Sequence, residues 1–144
     1  MSVITIPFDS ELYKEELQLR DKIMRKPIGL SLFDDDLSKE STFHHFGVLD
    51  PETGRLIGCA IIMELPDKVI KLRQMAIDDS FQKKGFGSAL IKHCIAFGRE
   101  NGFVRLNCNA RKTAIGFYEK LGFELIEGDF LEVGIPHQAM FFNL

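Results

Sequence analysis

The sequence predicts a mixed α/β chain of the α+β kind, with about six to seven strands in a mostly antiparallel sheet and about four helices. Three observations predict it. Apolar residues fall in strand-length stretches bounded by turn residues. The apolar period changes from two to 3.6 in only a few places. Short turns join consecutive strands, which makes those strands antiparallel neighbours. The 144 residues fit one domain spanning 1–144, and 45% hydrophobic with 27% charged residues is ordinary globular composition.

Residues 2–8 read as the first strand, with Val3, Ile4 and Ile6 before Pro7. Asp9 or Ser10 then caps a helix whose inner face carries Leu12, Glu16, Leu19 and Ile23, and which ends at 27–29. Residues 30–41 hold a turn or a short helix, and Asp34, Asp35 and Asp36 read as a solvated turn. Strands follow at 43–49 and 55–65, joined by the turn sequence Asp50-Pro51-Glu52-Thr53-Gly54. After Pro66-Asp67 comes a strand at 69–77. Phe86, Leu90, Cys94 and Phe97 then recur at helical spacing until Asn101-Gly102, a good helix stop. Residues 103–109 alternate, with Val104, Leu106 and Cys108 on one face and Arg105, Asn107 and Asn109 on the other. A second helical stripe of Ala114, Phe117, Tyr118 and Leu121 ends at Gly122, and 123–126 and 137–143 are the last strands.

Composition limits the partners. A net charge of −3 offers no global field for nucleic acid, so no nucleic-acid partner is expected. The longest apolar run, 56–63, is far short of the ~20 residues a membrane helix needs, and the N-terminus lacks a signal-peptide core, so no membrane partner is expected. Cys59, Cys94 and Cys108 are odd in number and widely spaced, which argues against a disulfide framework or a zinc site and for a cytoplasmic protein with no metal.

One turn carries a chemical signal. Gln82-Lys83-Lys84-Gly85-Phe86-Gly87-Ser88 stands between a strand and a long helix. The first N–H groups of a helix lack internal partners and carry partial positive charge. Gly85 and Gly87 let an anion approach the backbone, Lys83 and Lys84 add charge, and Ser88 adds a donor, so the turn suits a pyrophosphate. A simple capped turn before a core helix is the other reading. A Walker A loop is absent, and Leu90 stands where a dinucleotide fingerprint needs its third glycine.

The chain resembles the GCN5-related N-acetyltransferase (GNAT) superfamily through three ordered stretches: the 82–87 loop, the preceding strand Leu72-Arg73-Gln74-Met75-Ala76-Ile77-Asp78, and the helix and turn from Ala114 to Phe123 around Phe117-Tyr118. Residues 130–137 resemble a bacterial subgroup known as acetyltransferases by sequence alone. The resemblance implies a sheet splayed between strands 4 and 5, with acetyl-CoA as acyl donor in the opening. Met75, Ala76 and Ile77 would line the pantetheine arm, with backbone pairing at Met75 and Ile77. Amides from Lys83 to Ser88, behind Gln82, would hold the pyrophosphate, and Tyr118 would sit near the sulfur. Many relatives carry Asn where Arg111 stands; Asn109 is the candidate replacement, and Arg111 itself a candidate phosphate contact or a solvated helix start.

The implied step is attack of a neutral primary amine on the acetyl carbonyl through a ternary complex. Presenting an alkyl amine as its free base at pH 7 costs about 4–5 kcal/mol, so a base or a water chain is needed. His137, Glu132 and Glu64 are the candidates, along with water held by Asn107 and Asn109. Thiolate and phenol differ by about 2 kcal/mol in proton affinity, so Tyr118 is expected to stabilise the leaving thiolate by a hydrogen bond. The acceptor, a small-molecule or protein amine, is not readable, and His44 and His45 read as structural or exposed. A non-catalytic acyl-CoA-binding module and a structural domain are the competing classes, and a strand-mediated homodimer is a further expectation.

Overall fold

In the computed structural model, which describes residues 2–144, ten regular elements follow one another. They are β1 (Val3–Thr5), α1 (Glu11–Arg20), β2 (His44–Leu49), β3 (Leu56–Leu65), β4 (Val69–Ile77), α2 (Phe86–Glu100), β5 (Arg105–Arg111), α3 (Ile115–Lys120), β6 (Glu124–Glu132) and β7 (Ile135–Asn143). Short 3-10 turns replace the further helix expected in 30–41, at Leu32–Asp34 and Glu40–Thr42. Among the described residues no helix is long and apolar enough to cross a membrane.

The seven strands form one mixed sheet in the order β1-β2-β3-β4-β5-β7-β6. Every neighbouring pair is antiparallel except β4 and β5, which run parallel across α2. Their pairing is short, from Val69 opposite Arg105 to Leu72 opposite Cys108. Beyond Leu72, β4 bulges. Cys59 faces Ala76 while Ile61 faces Arg73, so Gln74 and Met75 together stand against one residue of β3. Gln74 takes φ 48°, an uncommon angle for a residue with a side chain. The bulge turns β4 away from β5, and the sheet opens there.

Apolar cores lie on both faces. Leu90, Ile91, Cys94 and Ile95 of α2 are buried against Ile70, Leu72, Leu106 and Cys108. Leu90 and Ile91 are fully buried, each contributing about 1.5–3 kcal/mol of apolar transfer. The Asn101 side chain donates to Phe97 O at 2.8 Å and terminates α2. On the other face, α1 covers Ile6, Leu56, Cys59 and Ala76 with Tyr13 and Leu19.

Three boundaries differ from the sequence reading. β5 begins at Arg105, leaving Val104 outside the strand and 54% exposed, and it runs on through Arg111. Arg111 therefore ends a strand and at the same time caps the 3-10 turn Lys112–Ala114 that leads into α3. β6 continues to Glu132, past the expected end at Ile126, because it is an exposed edge strand with almost no apolar alternation. In α1 the Ser10 cap holds, accepting from Tyr13 N at 3.2 Å. Its buried face is Tyr13, Glu16, Leu19 and Arg20, with Leu12 and, in the helical turn beyond α1, Ile23 partly buried against the same core.

Candidate active site

The opening between β4 and β5 is a cleft of about 320 Å³, within the range of small-ligand sites. Met75 borders it on β4, Asn109 and Arg111 on β5, Tyr118 on α3, and Glu132 and His137 on the β6–β7 hairpin. Backbone alternation decides what β4 presents to it. Asp78 N donates to Ile57 O at 2.8 Å, so residue 78 faces β3. Met75 and Ile77 then aim their backbone groups at the open side, where the pairing with β5 has already ended. Ala76 is buried on the α1 face opposite Cys59 and contributes packing there.

The glycine-bearing turn packs behind the cleft wall formed by Phe117 and Met75. Asp78 accepts from Ser80 N at 3.2 Å, and the Gln82 amide donates to Ile77 O at 3.0 Å, tying the turn to β4. Lys83 has φ 60° and Gly85, the N-cap of α2, has φ 89°. No side chain caps this helix, and its first turn closes with Ala89 N donating to Gly85 O at 3.1 Å. The N–H groups of Phe86, Gly87 and Ser88 therefore have no carbonyl within the helix to meet. Gly87 also has a packing role that its sequence did not suggest. A Cβ there would lie 3.3 Å from Phe117 and 3.6 Å from Met75, so its bareness lets α2 pack against the cleft wall. Lys84 sits over the Phe81 ring at 5.6 Å.

Tyr118 is 7% exposed, wedged edge-on between Phe117 and Phe123. Among the described residues no hydrogen bond holds its hydroxyl, and no fully buried polar side-chain atom lacks a partner. The hydroxyl therefore opens to the cleft. Burial, with smaller contributions from Cys108 and Cys94, pushes its pKa well above the ordinary tyrosine value, so it remains a neutral donor.

The expected bases separate. Glu64 hydrogen-bonds His44 at 2.9 Å on the outer surface and does not line the cleft. Glu132 and His137 lie together on the cleft, with Oε2 and Nε2 3.5 Å apart. His137 Nδ1 donates to Ile135 O at 2.7 Å, which fixes that proton and leaves Nε2 as the acceptor nitrogen when the ring is neutral. Asn109 donates to Glu132 Oε1 at 3.2 Å, so it orients a carboxylate.

The sequence profile of the Acetyltransferase (GNAT) family matches residues 10–123. The chain belongs to the GNAT family. Among its relatives, the uncharacterized N-acetyltransferase YjcF of Bacillus subtilis is 26% identical over 92% of this chain and 93% of its own. Other curated relatives match more locally. The uncharacterized B. subtilis protein YyaT is 31% identical over 49% of this chain, and the chain spans about half of its length, 47%. The fold recurs in an acyl-CoA N-acyltransferase from Pseudomonas aeruginosa, with TM-score 0.81 and 17% identity over 97% of both chains. It recurs also in an aminoglycoside 6'-N-acetyltransferase bound to coenzyme A, with TM-score 0.76 and 15% identity over 99% of this chain and 97% of that one.

This GNAT chain has a second polar centre that its sequence did not announce. Under α1, Arg20 Nη1 contacts Glu16 Oε2 at 2.8 Å and Glu40 Oε1 at 2.7 Å, while its Nε donates to Gln74 Oε1 at 2.7 Å. His45 Nδ1 meets both Glu16 oxygens at 3.0 Å, and its Nε2 meets Glu40 O at 2.8 Å. Both ring nitrogens face acceptors, so His45 is the doubly protonated imidazolium. Burial opposes that charge, but the bonds to Glu16 and Glu40 override it and raise the pKa. Two cations balance two carboxylates, all at least 96% buried. Glu16, Glu40 and His45 offer donor atoms within 4.8 Å of one another, and Arg20 already supplies the cation between the carboxylates. Through Gln74 this network holds the β4 bulge that opens the cleft. The only trace in the sequence was Glu16 on the inner face of a helix, which alone does not identify its partners.

Proposed function

We propose that this chain transfers an acetyl group from acetyl-CoA to a primary amine of a small molecule or a protein, by direct attack with both substrates bound. The observation that carries this reading is a cleft that holds Tyr118 and the Glu132–His137 pair and has the uncapped first turn of α2 packed behind its wall, where Gly87 approaches Phe117 and Met75. When bound, acetyl-CoA supplies an activated thioester. Phe86, Gly87 and Ser88 then offer amides to the pyrophosphate, with Lys83 and Lys84 beside them. Met75 and Ile77 offer backbone groups to the pantetheine amides.

At the reacting end, His137 Nε2 or the Glu132 carboxylate accepts the one proton that the incoming ammonium must lose, giving it a path out of the cleft; presenting the free amine at pH 7 costs about 4–5 kcal/mol. Asn109 keeps the Glu132 carboxylate in place. Tyr118, held neutral by burial, donates a hydrogen bond toward the sulfur as negative charge develops there. A cytoplasmic setting agrees with the three free, buried cysteines.

The test is thermal stabilisation by acetyl-CoA followed by amine-dependent thiol release. A protein that binds at 100-fold above Kd should gain about 2.7 kcal/mol of stability. Amine-dependent thiol release across a panel of acceptors is the expected result. Stabilisation without release for any amine would identify a non-catalytic acyl-CoA-binding module.

A further inference from the structure

The face of the sheet that α1 leaves uncovered carries an unusual set of charges. Lys71 stands opposite Asn107, Asn107 opposite Phe141, and Arg111 opposite His137, so these side chains share one face of β4, β5 and β7. Arg73, two residues after Lys71, joins them and contacts only the Met63 sulfur, at 4.0 Å. Lys71, Arg73 and Arg111 all border the cleft. Among the described residues none of the three forms an ion pair, whereas Arg25 and Lys112 beside them pair with Asp35 and Asp129. Glu132 is, among the described residues, the one carboxylate that lines the cleft, engaged with Asn109 and His137, while Arg73 also borders an adjoining pocket lined by Asp35, Asp36 and Glu40, with which it forms no ion pair. Like charges on neighbouring strands repel, and a chain of net charge −3 has acids to spare for neutralising them.

The coenzyme phosphates do not account for Lys71 and Arg73. Lys71 precedes Ile77 by six residues of strand, about 20 Å at ~3.3 Å each, and the phosphate-binding turn lies beyond Ile77. Arg73, one residue after the Leu72–Cys108 pair, thus stands level with Asn109, which holds Glu132, and Lys71 stands one step farther from the turn.

We infer that the acceptor is an amine that also carries an anionic group, a carboxylate or a phosphate, which Lys71 and Arg73 receive while its amine faces Glu132. This rests on the acetyl-transfer reading and narrows its acceptor. Arg73 can take a carboxylate or phosphate through two N–H groups, and Lys71 adds a point charge.

The experiment uses matched pairs: phenylalanine against phenethylamine, glutamate against 4-aminobutyramide, and phosphoethanolamine against ethanolamine. Acetylation is followed by thiol release, and binding to the CoA-loaded protein is followed by calorimetry, which needs no turnover. The anionic member of at least one pair should be preferred ten-fold or more in kcat/KM or in Kd, and the preference should shrink as salt rises. Which pair responds separates carboxylate from phosphate. In Lys71→Gln/Arg73→Gln the ratio should fall to within about three-fold of one while acetyl-CoA still binds. Neutral amines equal to or better than their anionic partners in every pair would overturn the proposal, and so would a preference that survives in the double variant. Failure of acetyl-CoA to bind would instead strike the acetyl-transfer reading, and the binding ratios would still decide between anionic and neutral ligands.

Discussion

Two regions of the sheet handle charge in opposite ways. Beneath α1, Glu16, Arg20, Glu40 and His45 are buried and each charge meets an opposite one at 2.7–3.0 Å. Across the uncovered face, Lys71, Arg73 and Arg111 are partly or fully exposed and, among the described residues, form no ion pair with the acids near them, Glu132, Asp35 and Asp36. Buried charges must be paired because desolvation would otherwise cost several kcal/mol each. Exposed cations can stay unpaired at small cost, and a surface that keeps several together is ready for an anion. The first region therefore shapes the cleft through Gln74, and the second equips it for a ligand.

The largest effect should come from breaking the paired region. Arg20→Met leaves Glu16 and Glu40 buried against a single cation, and should cost about 3–5 kcal/mol in urea unfolding. The same variant frees Gln74, so acetyl-CoA affinity should fall even where the protein remains folded. A loss below about 1 kcal/mol would show that the network is not held as described.

A pH dependence should follow in the same region. The folded pKa of His45 is raised, so its contribution is complete below the ordinary histidine value of about 6.5 and is lost as pH rises through the raised folded value. Thermal midpoints should decline on the alkaline side of that window. His45→Gln should flatten the decline, with Glu16, Glu40, Arg20 and Tyr13 still facing the site. A profile identical in the variant would remove His45 as its source.

The unpaired region should respond least. Arg73→Gln removes no ion pair and should change stability by less than about 0.5 kcal/mol. A larger loss would mean that Arg73 holds the fold and is not kept for a ligand.

Much of this contrast lay hidden in the sequence for physical reasons. The sheet and α2 were legible because apolar periods and turn residues report burial directly, and the opening between strands 4 and 5 came from the family resemblance. The position of the 82–88 turn was legible for the same reason, since a strand, two glycines and a helix must meet there. The network was not, because α1 buries Glu16 and Arg20 where a hydrophobic pattern predicts leucines, and Glu40 and His45 arrive from distant segments. The bulge at Gln74 left no mark, as nothing in its identity requires φ 48°. The closeness of Gly87 to the Phe117 ring was not legible, since it depends on how α3 packs against α2. Glu132 and His137 could be named from sequence but not chosen over Glu64 until the β6–β7 hairpin brought them to the cleft.

The most direct test of the central claim is Tyr118→Phe, compared with the native chain for acetyl-CoA affinity and for amine-dependent thiol release. The cleft as described predicts unchanged affinity, within about two-fold, and turnover lowered ten-fold or more, the loss of about 1.4 kcal/mol of transition-state stabilisation. Turnover equal to that of the native chain would contradict it and return Tyr118 to the aromatic core.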